Sequence, residues 1–516
     1  MKRKVTLALL MTLAIVMTAV EFLSGAAAPQ PAPVAWTPEV PRAWDPKELE
    51  AMEVPLTRPE YSPHYRDASY YYSIPTRPIY KSYPVYAPSR EPAGYMEWIA
   101  KQEPEIAFDP ARLKTQEDWL QAGEIVFDAP IIYGNEERVR QLHNPKWYQE
   151  LELPVAADGT VPFVRYVVRE KGRVEVGRFS CGMCHTRVMP DGAVIRGAQG
   201  NFPNDRLQAM DKEADAADAA AAPDAQKLLD ATHAGARAPF GAPWLAEDPA
   251  VRFSRLSMQE IIRGYRAIPA GVQARFATSL FDPVQVPDLI GIKDRKYLDR
   301  TGLVRQRSIA DLMRYAIVNQ GGFLYAAHKD FQPNEKLPPP AKMLRYSDEQ
   351  LYALSLYLYS LQPPPNPNKF DALAARGQKV FAREACDRCH TPPLYTNNQL
   401  VPVKGFQVTR EHPDYASIKN RTVGTDEGLA LRTRRGTGLY KIPSLKGLWY
   451  RGPLEHSGRV ASLEEWFDPR RLSPDFVSKG GFRSPWATSG AVRGHEFGLD
   501  LSADDRKALI AFLRTL

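Results

Sequence analysis

Cys181-Gly-Met-Cys184-His185 and Cys386-Asp-Arg-Cys389-His390 are two copies of one pattern, and together they use all four cysteines of the 516-residue chain. C-x-x-C-H is the attachment motif of c-type haem. Chemistry dictates the spacing. Two thiols bond two vinyl groups, so they lie about one helical turn apart, and the adjacent histidine sits beneath the iron. A zinc site of four cysteines would use both pairs but would not require a histidine after each. A redox-active C-x-x-C would not normally occur twice with no other cysteine. The sequence therefore predicts two covalently bound haem c groups, attached through Cys181, Cys184, Cys386 and Cys389, with His185 and His390 as proximal iron ligands. No cysteine is left for a disulfide scaffold.

The second axial ligand decides what each iron does. Of 11 methionines none lies beyond Met343, so a His/Met haem built from the second half alone is excluded. The histidines after His390 are His412, His456 and His495. The second haem is bis-histidine, carries an oxygen ligand such as tyrosine, or is open. His495, in the glycine-flanked turn RGHEFG (493–498), is the preferred ligand, and His456, in LEHSGR (454–459), is the alternative. After His185 no histidine occurs until His233. Met210, Met258 and Met313 are conceivable ligands for the first iron, although such residues more often fill cores. An open position is the other reading. Open iron binds peroxide or dioxygen, whereas six-coordinate iron mainly passes electrons.

Working outward, two further patterns repeat. YSDEQLYALSLYLYSL (346–361) reads as a helix with Ser347 as N-cap and Gln350 closing a capping box. SADDRKALIAFLRTL (502–516) matches it at Ser502, Ala508, Leu509, Phe512, Leu513 and Leu516. GEIVF (123–127) is echoed by GQKVF (377–381). Each half thus opens on a Gly-x-x-x-Phe helix and closes on a capped helix, an internal duplication. The proline run PPPNPN (363–368) reads as the linker between the copies. Residues 211–239 are alanine-rich and read as a partly helical surface insertion.

The N-terminus has its own signature. Lys2, Arg3 and Lys4 precede an apolar run from Val5 to Val20, and small residues follow at Ser24 to Ala28. This describes a secretory signal peptide. The run is short for a membrane span of about 20 residues, with an uncleaved anchor as the alternative. Cleavage near Ala27 removes Lys2, Arg3, Lys4 and Glu21 and takes the formal charge from +7 to about +5. No Lys/Arg block suggests nucleic acid. Residues 29–95 are rich in proline and tyrosine, with eight tyrosines between Tyr61 and Tyr86. Proline spacing there forbids a helix and favours extended or polyproline-II chain. The tyrosine rings would anchor this collar to a folded body, or it would serve as a partner-binding arm.

Tyr440, Trp449, Tyr450, Trp466 and Phe467 crowd residues 436–469. They could relay charge between haems or pack around a porphyrin. Arg305, Arg307 and Arg314 could pair with haem propionates or line a distal pocket.

The second half resembles the bacterial di-haem cytochrome c peroxidase and MauG superfamily. The residues that carry this are GQKVFAREACDRCHTPPLYTNN (377–398), KIPSLKGLWYRGPLEHSGRVASLEEWFDP (441–469) and GHEFGLDLSADDRKALIAFLRTL (494–516). The resemblance covers about residues 370–516. In the first half it rests on the haem motif and domain order. Within the superfamily the chain looks most similar to the di-haem rubber oxygenase branch, whose late histidine ligand supports His495. It departs from the peroxidases in three places. No histidine follows the first motif closely, the turn reads HSG rather than HDG, and WFDPRRL (466–472) stands where a methionine is expected.

These readings converge on a mostly α protein with long loops. A signal peptide or anchor (1–28) precedes the extended segment (29–95). A first cytochrome c-like domain with insertions (96–362), a linker (363–369) and a second cytochrome c-like domain (370–516) follow. The expected function is an exported, periplasmic or secreted haem-dependent oxidoreductase. Electrons would pass between the haems, and peroxide or dioxygen would react at the first. A pure electron-transfer cytochrome and an oxygenase cleaving an organic substrate are the alternatives. The expected partner is a redox protein or small-molecule oxidant, with no nucleic acid, and a membrane only if residues 1–28 remain attached.

Overall fold

The computed structural model describes residues 34–221 and 224–516; the predicted signal segment lies outside them. The two Gly-x-x-x-Phe helices, Gln116–Asp128 and Ala372–Arg383, each cross one capped helix. The first crosses Asp348–Ser360 and the second crosses Ala503–Arg514. Glycine sets the approach in both. A Cβ on Gly123 would overlap the Ala353 carbonyl oxygen and lie 2.7 Å from Tyr357 Cβ. A Cβ on Gly377 would overlap the Ala508 carbonyl oxygen and lie 2.8 Å from Phe512 Cβ. Ala353 and Ala508, and Tyr357 and Phe512, are equivalent in the sequence repeat, so both crossings use the same two contacts. Phe127 and Phe381, one turn after each glycine, are buried in these junctions.

The caps explain where the helices start. Thr115 and Asp118 form a capping box, as do Ser347 and Gln350. Ser502 accepts from the Asp505 amide, and Asp371 accepts from the Ala374 amide. Each bond satisfies a donor that the first helical turn leaves without a partner.

The mostly α expectation omits a four-stranded antiparallel sheet. Its order is Ser82–Tyr86, Thr160–Glu170, Arg173–Arg178, Ile132–Gly134. Tyr83 pairs with Tyr166, Tyr166 with Val176 and Tyr133 with Gly177. The long strand is rich in β-branched and aromatic residues, and Phe163, Tyr166 and Val168 bury one face. The strand Arg173–Arg178 delivers the chain to the first C-x-x-C-H motif.

The proline- and tyrosine-rich segment is less extended than its composition suggests. Short helices form at Pro46–Met52 and Ala68–Tyr72. Pro46 occupies the first turn behind the Asp45 cap, where a missing N–H costs nothing. Trp44 is buried, stacks on Tyr71 at 4.4 Å between centroids and meets Tyr65 and Tyr325 edge-on. His64–Tyr65 pairs with Ala326–Ala327. The alanine-rich stretch forms much of the helices Asn204–Ala221 and Ala225–Gly235. Among the described residues no helix is long and apolar enough to cross a membrane.

Gly377→Ala tests the crossing. Overpacking costs about 1–3 kcal/mol, against a helix-propensity gain of up to about 1 kcal/mol. The expected net effect is a lowered urea midpoint, in Gly123→Ala also. A midpoint equal to or above that of the parent chain would reject the close approach.

Candidate functional site

Both C-x-x-C-H motifs fold as one tight turn. At the first, Phe179 takes a left-handed φ of 61° and breaks the strand. Ser180 then caps the helix Cys181–Cys184 by accepting from the Met183 amide. The His185 amide closes the turn on the Cys181 carbonyl at 2.9 Å. At the second, Ala385 takes φ 56° after the helix Ala372–Arg383, and the His390 amide closes on the Cys386 carbonyl at 2.8 Å.

None of the four cysteines is paired with another. Among the described residues no three His, Cys, Asp or Glu side chains cluster as a metal-ion site, so the two thiol pairs do not converge as a four-cysteine zinc centre would require. Burial pushes the Cys181 thiol up to about 12 and the Cys386 thiol up to about 11. Both are held neutral.

The proximal histidines are held alike. Leu289 N donates to Gly197 O at 2.7 Å, which draws residues 286–290 against the first motif. His185 Nδ1 lies 3.0 Å from the Pro287 carbonyl. His390 Nδ1 lies 3.2 Å from the Tyr395 carbonyl and 3.1 Å from the Pro443 carbonyl. A carbonyl only accepts, so the proton sits on Nδ1 and Nε2 keeps its lone pair. Burial, with the Arg275 cation, drives the His185 pKa down to about 3, and burial drives His390 down to about 4. Both rings are therefore neutral at ordinary pH, the state an iron ligand requires.

His495 faces His390, with ring centroids 6.2 Å apart. Two metal–nitrogen bonds of about 2 Å each, plus half of each ring, fill most of that distance. His495 is itself neutral, lowered to about 4 by burial and by His390, and its Nδ1 is buried without a hydrogen-bond partner. The residues present thus fit an iron between the two rings. The turn that presents His495 is strained: Gly494 and His495 take φ of 80° and 46°. Arg471, which is fully buried, spans it by donating to the carbonyls of Val492, Gly494 and His495. Trp466 and Phe497 pack on the imidazole at 5.4 and 5.2 Å between centroids.

His456 sits elsewhere. Tyr440 stacks on it at 4.1 Å, Glu455 binds its Nδ1, and Asp426 lies 3.8 Å from Nε2. Burial alone would lower its pKa, but the two carboxylates outweigh burial and raise it to about 9. That ring is an imidazolium.

Five more histidines are engaged by protein groups. His64 meets Glu50, His143 meets Glu91, His233 meets the Leu256 carbonyl, His328 meets the Tyr61 carbonyl, and His412 accepts from the Asp414 amide. No second imidazole is left for His185. Met313 is fully buried in the core that flanks Cys181, and Met210 packs on the core that flanks Cys184. Met258 opens the helix Met258–Arg266.

The arginines singled out from the sequence already have partners. Arg305 forms a bidentate pair with Asp414, while Arg307 and Arg314 share Asp311. The sequence reading missed a repeat instead. VPDLIGIKDR (286–295) matches IPSLKGLWYR (442–451) as P-x-L-x-G-x-x-x-R. The prolines are those that hold the two proximal histidines. Gly291 and Gly447 take left-handed φ of 72° and 75°. Arg295 donates to the carbonyls of Asp288 and Ile290, and Arg451 to those of Ser444 and Lys446, the equivalent positions.

No protein-family model matches the chain. It is 29% identical over 167 residues to a protein named cytochrome-c peroxidase IdrP1 of Denitromonas iodatirespirans, a match that covers 28% of this chain and 40% of that one. The chain thus spans about two fifths of that relative's length. Among solved structures it aligns with hydrazine synthase of Kuenenia stuttgartiensis at 14% identity, covering 55% of this chain and 86% of that one, with a TM-score of 0.31. A MauG-like protein associated with microbial copper homeostasis aligns at 16% identity over the same shares, with a TM-score of 0.29. The peroxidase match supports a link to cytochrome c-type, haem-dependent redox proteins.

Two measurements probe this geometry. Because the His456 pKa is raised on folding, its contribution is complete below about pH 6.5 and is lost as pH rises through about 9. The contribution is on the order of 3 kcal/mol. Urea unfolding from pH 6 to 10 should show that decline in the parent chain and a flatter profile in His456→Gln; parallel profiles would remove the imidazolium assignment. Arg471→Ala leaves four carbonyls, those of Trp466, Val492, Gly494 and His495, without their donor, at about 1 kcal/mol or more each. A loss below about 1 kcal/mol in the same assay would show that Arg471 does not hold the turn.

Proposed function

We propose that this chain is an exported di-haem c-type cytochrome acting as a haem-dependent oxidoreductase. The observation that carries the reading is the unequal use of histidine: His390 has His495 opposite it, and His185 has no second imidazole. When bound, the haems would supply one-electron chemistry, with His390 and His495 holding one iron and His185 the other, where peroxide or dioxygen would react.

The chain's own residues do the rest. Cys181 and Cys184, then Cys386 and Cys389, attach the groups. The carbonyls of Pro287 and Pro443 fix the tautomers of His185 and His390. Arg471 and the Gly494 turn aim His495. Export rests on residues 1–28, and the rubber oxygenase-like branch rests on the RGHEFG turn. We accordingly assign the reaction with peroxide or dioxygen to the first haem, since His495 stands opposite His390 at the second.

Cyanide separates the readings. The as-isolated protein should bind it at one haem of the two, after partial reduction if needed, and the other should stay low-spin. Refusal of cyanide by both haems in every redox state would leave only an electron carrier. His495→Ala should convert one haem to high spin; an unchanged low-spin spectrum would reject the axial pair. Oxygen uptake on an organic substrate without added peroxide would mark an oxygenase rather than a peroxidase.

A further inference from the structure

The two P-x-L-x-G-x-x-x-R loops end on one cavity. Arg295 from the first copy and Arg451 from the second line it, together with Arg300, Lys441 and Asp288. Its walls include Pro443, whose carbonyl holds His390, and Asp288, next in the chain to Pro287, whose carbonyl holds His185. It therefore adjoins the proximal side of both motifs.

Charge in this cavity does not balance. Four cations face it and Asp288 is the lining carboxylate. Asp288 accepts from the Tyr450 hydroxyl at 3.1 Å and lies 3.8 Å from Arg295. The nearby Asp299 is already paired with Arg435. Among the described residues the Arg300 guanidinium reaches only backbone carbonyls, those of Gln285 at 3.4 Å and Val286 at 3.3 Å. Lys441 Nζ reaches only the Tyr297 carbonyl, at 3.4 Å. Arg451 Nε is buried with no partner. Burial and the guanidiniums of Arg295 and Arg300 push the Lys441 ammonium well below its ordinary range. Burial, Arg451 and Arg295 push Arg300 down to about 9. Buried cations of one sign without counter-charge are costly, and an anion in the cavity removes the cost.

We propose that this cavity is a carboxylate site in which Arg295, Arg451, Arg300 and Lys441 hold propionate groups of both haems. The proposal rests on the di-haem reading above and extends it. It explains why the arginine recurs at the same spacing after each proximal proline. One loop orients the histidine through its proline carbonyl and supplies a cation through its arginine. It also couples the two centres, because cations shared between two sets of propionates place both irons in one field. A free inorganic anion is the other source of the same chemistry.

The test uses the holoprotein with Arg451→Gln, Arg300→Gln and the conservative Arg300→Lys. Haem content per chain is measured first, then both midpoint potentials by spectroscopic redox titration, in chloride buffer and with inorganic phosphate added. A cation beside the iron disfavours the ferric state, so its removal should lower the midpoints. The expected shift is about tenfold in the ferric-to-ferrous ratio, about 59 mV for one electron. Arg300→Lys should restore most of it, and phosphate should change nothing in the parent protein. Unchanged midpoints in variants carrying two haems would overturn the proposal alone. A saturable effect of phosphate on the parent protein would also overturn it, in favour of a free anion. Fewer than two haems in the parent chain would overturn the di-haem reading and the proposal with it.

Discussion

The molecule depends on two places where helix backbones touch. At Gly123 and Gly377 the absence of a Cβ lets a carbonyl of the facing helix, at Ala353 or Ala508, close to van der Waals distance. Neither helix pair can slide along its axis, because a shift of one residue would put a side chain where the glycine stands. Once each crossing is fixed, Phe127 and Phe381 are pinned one turn later. In the second half the helix Ala372–Arg383 runs directly into the Cys386 turn, so the crossing sets the position of that motif. In the first half the chain takes a detour through the antiparallel sheet before reaching Cys181. The detour accounts for part of the extra length of the first copy, which still closes on equivalent contacts.

Much of this was legible. Cysteine use, the lack of methionine after Met343 and the 155-residue repeat of the capped helix are local patterns that need no partner. The glycine and phenylalanine of GEIVF and GQKVF could be read as a repeat, although their role as a contact point needs the facing carbonyl. The sheet was legible in part: VPFVRYVVRE (161–170) carries the β-branched enrichment of a strand, but it sits inside a region dominated by helix patterns. The second proline-arginine loop was hidden by divergence. VPDLIG lacks the serine and lysine of IPSLKG, and only the spacing of proline, leucine, glycine and arginine survives.

Charge pairing was not legible. Arg305 finds Asp414, 109 residues away, and Arg435 finds Asp299, 136 residues away. Nothing in the sequence near either arginine marks it as paired, whereas Arg295 and Arg451 look no different. The distinction between a satisfied cation and one awaiting an anion belongs to the tertiary structure, because it depends on which carboxylates the fold brings within reach.

The same limit bears on the histidines. His456 and His495 both lie late in the chain, and sequence alone ranks them only by the glycine-flanked turn around His495. The fold separates them by charge. Between Glu455 and Asp426 a ring keeps its proton and has no lone pair to give. Opposite His390, surrounded by Trp466 and Phe497, a ring loses its proton and keeps one. Arg471 donates to the carbonyls of the turn carrying His495 and, from the other side, to the Trp466 carbonyl. A guanidinium has no lone pair to offer a metal, but this one ties the turn to the segment whose indole packs on the His495 ring. One buried cation thus fixes both the backbone that presents the imidazole and the ring that encloses it, and so sets how this half closes over His390.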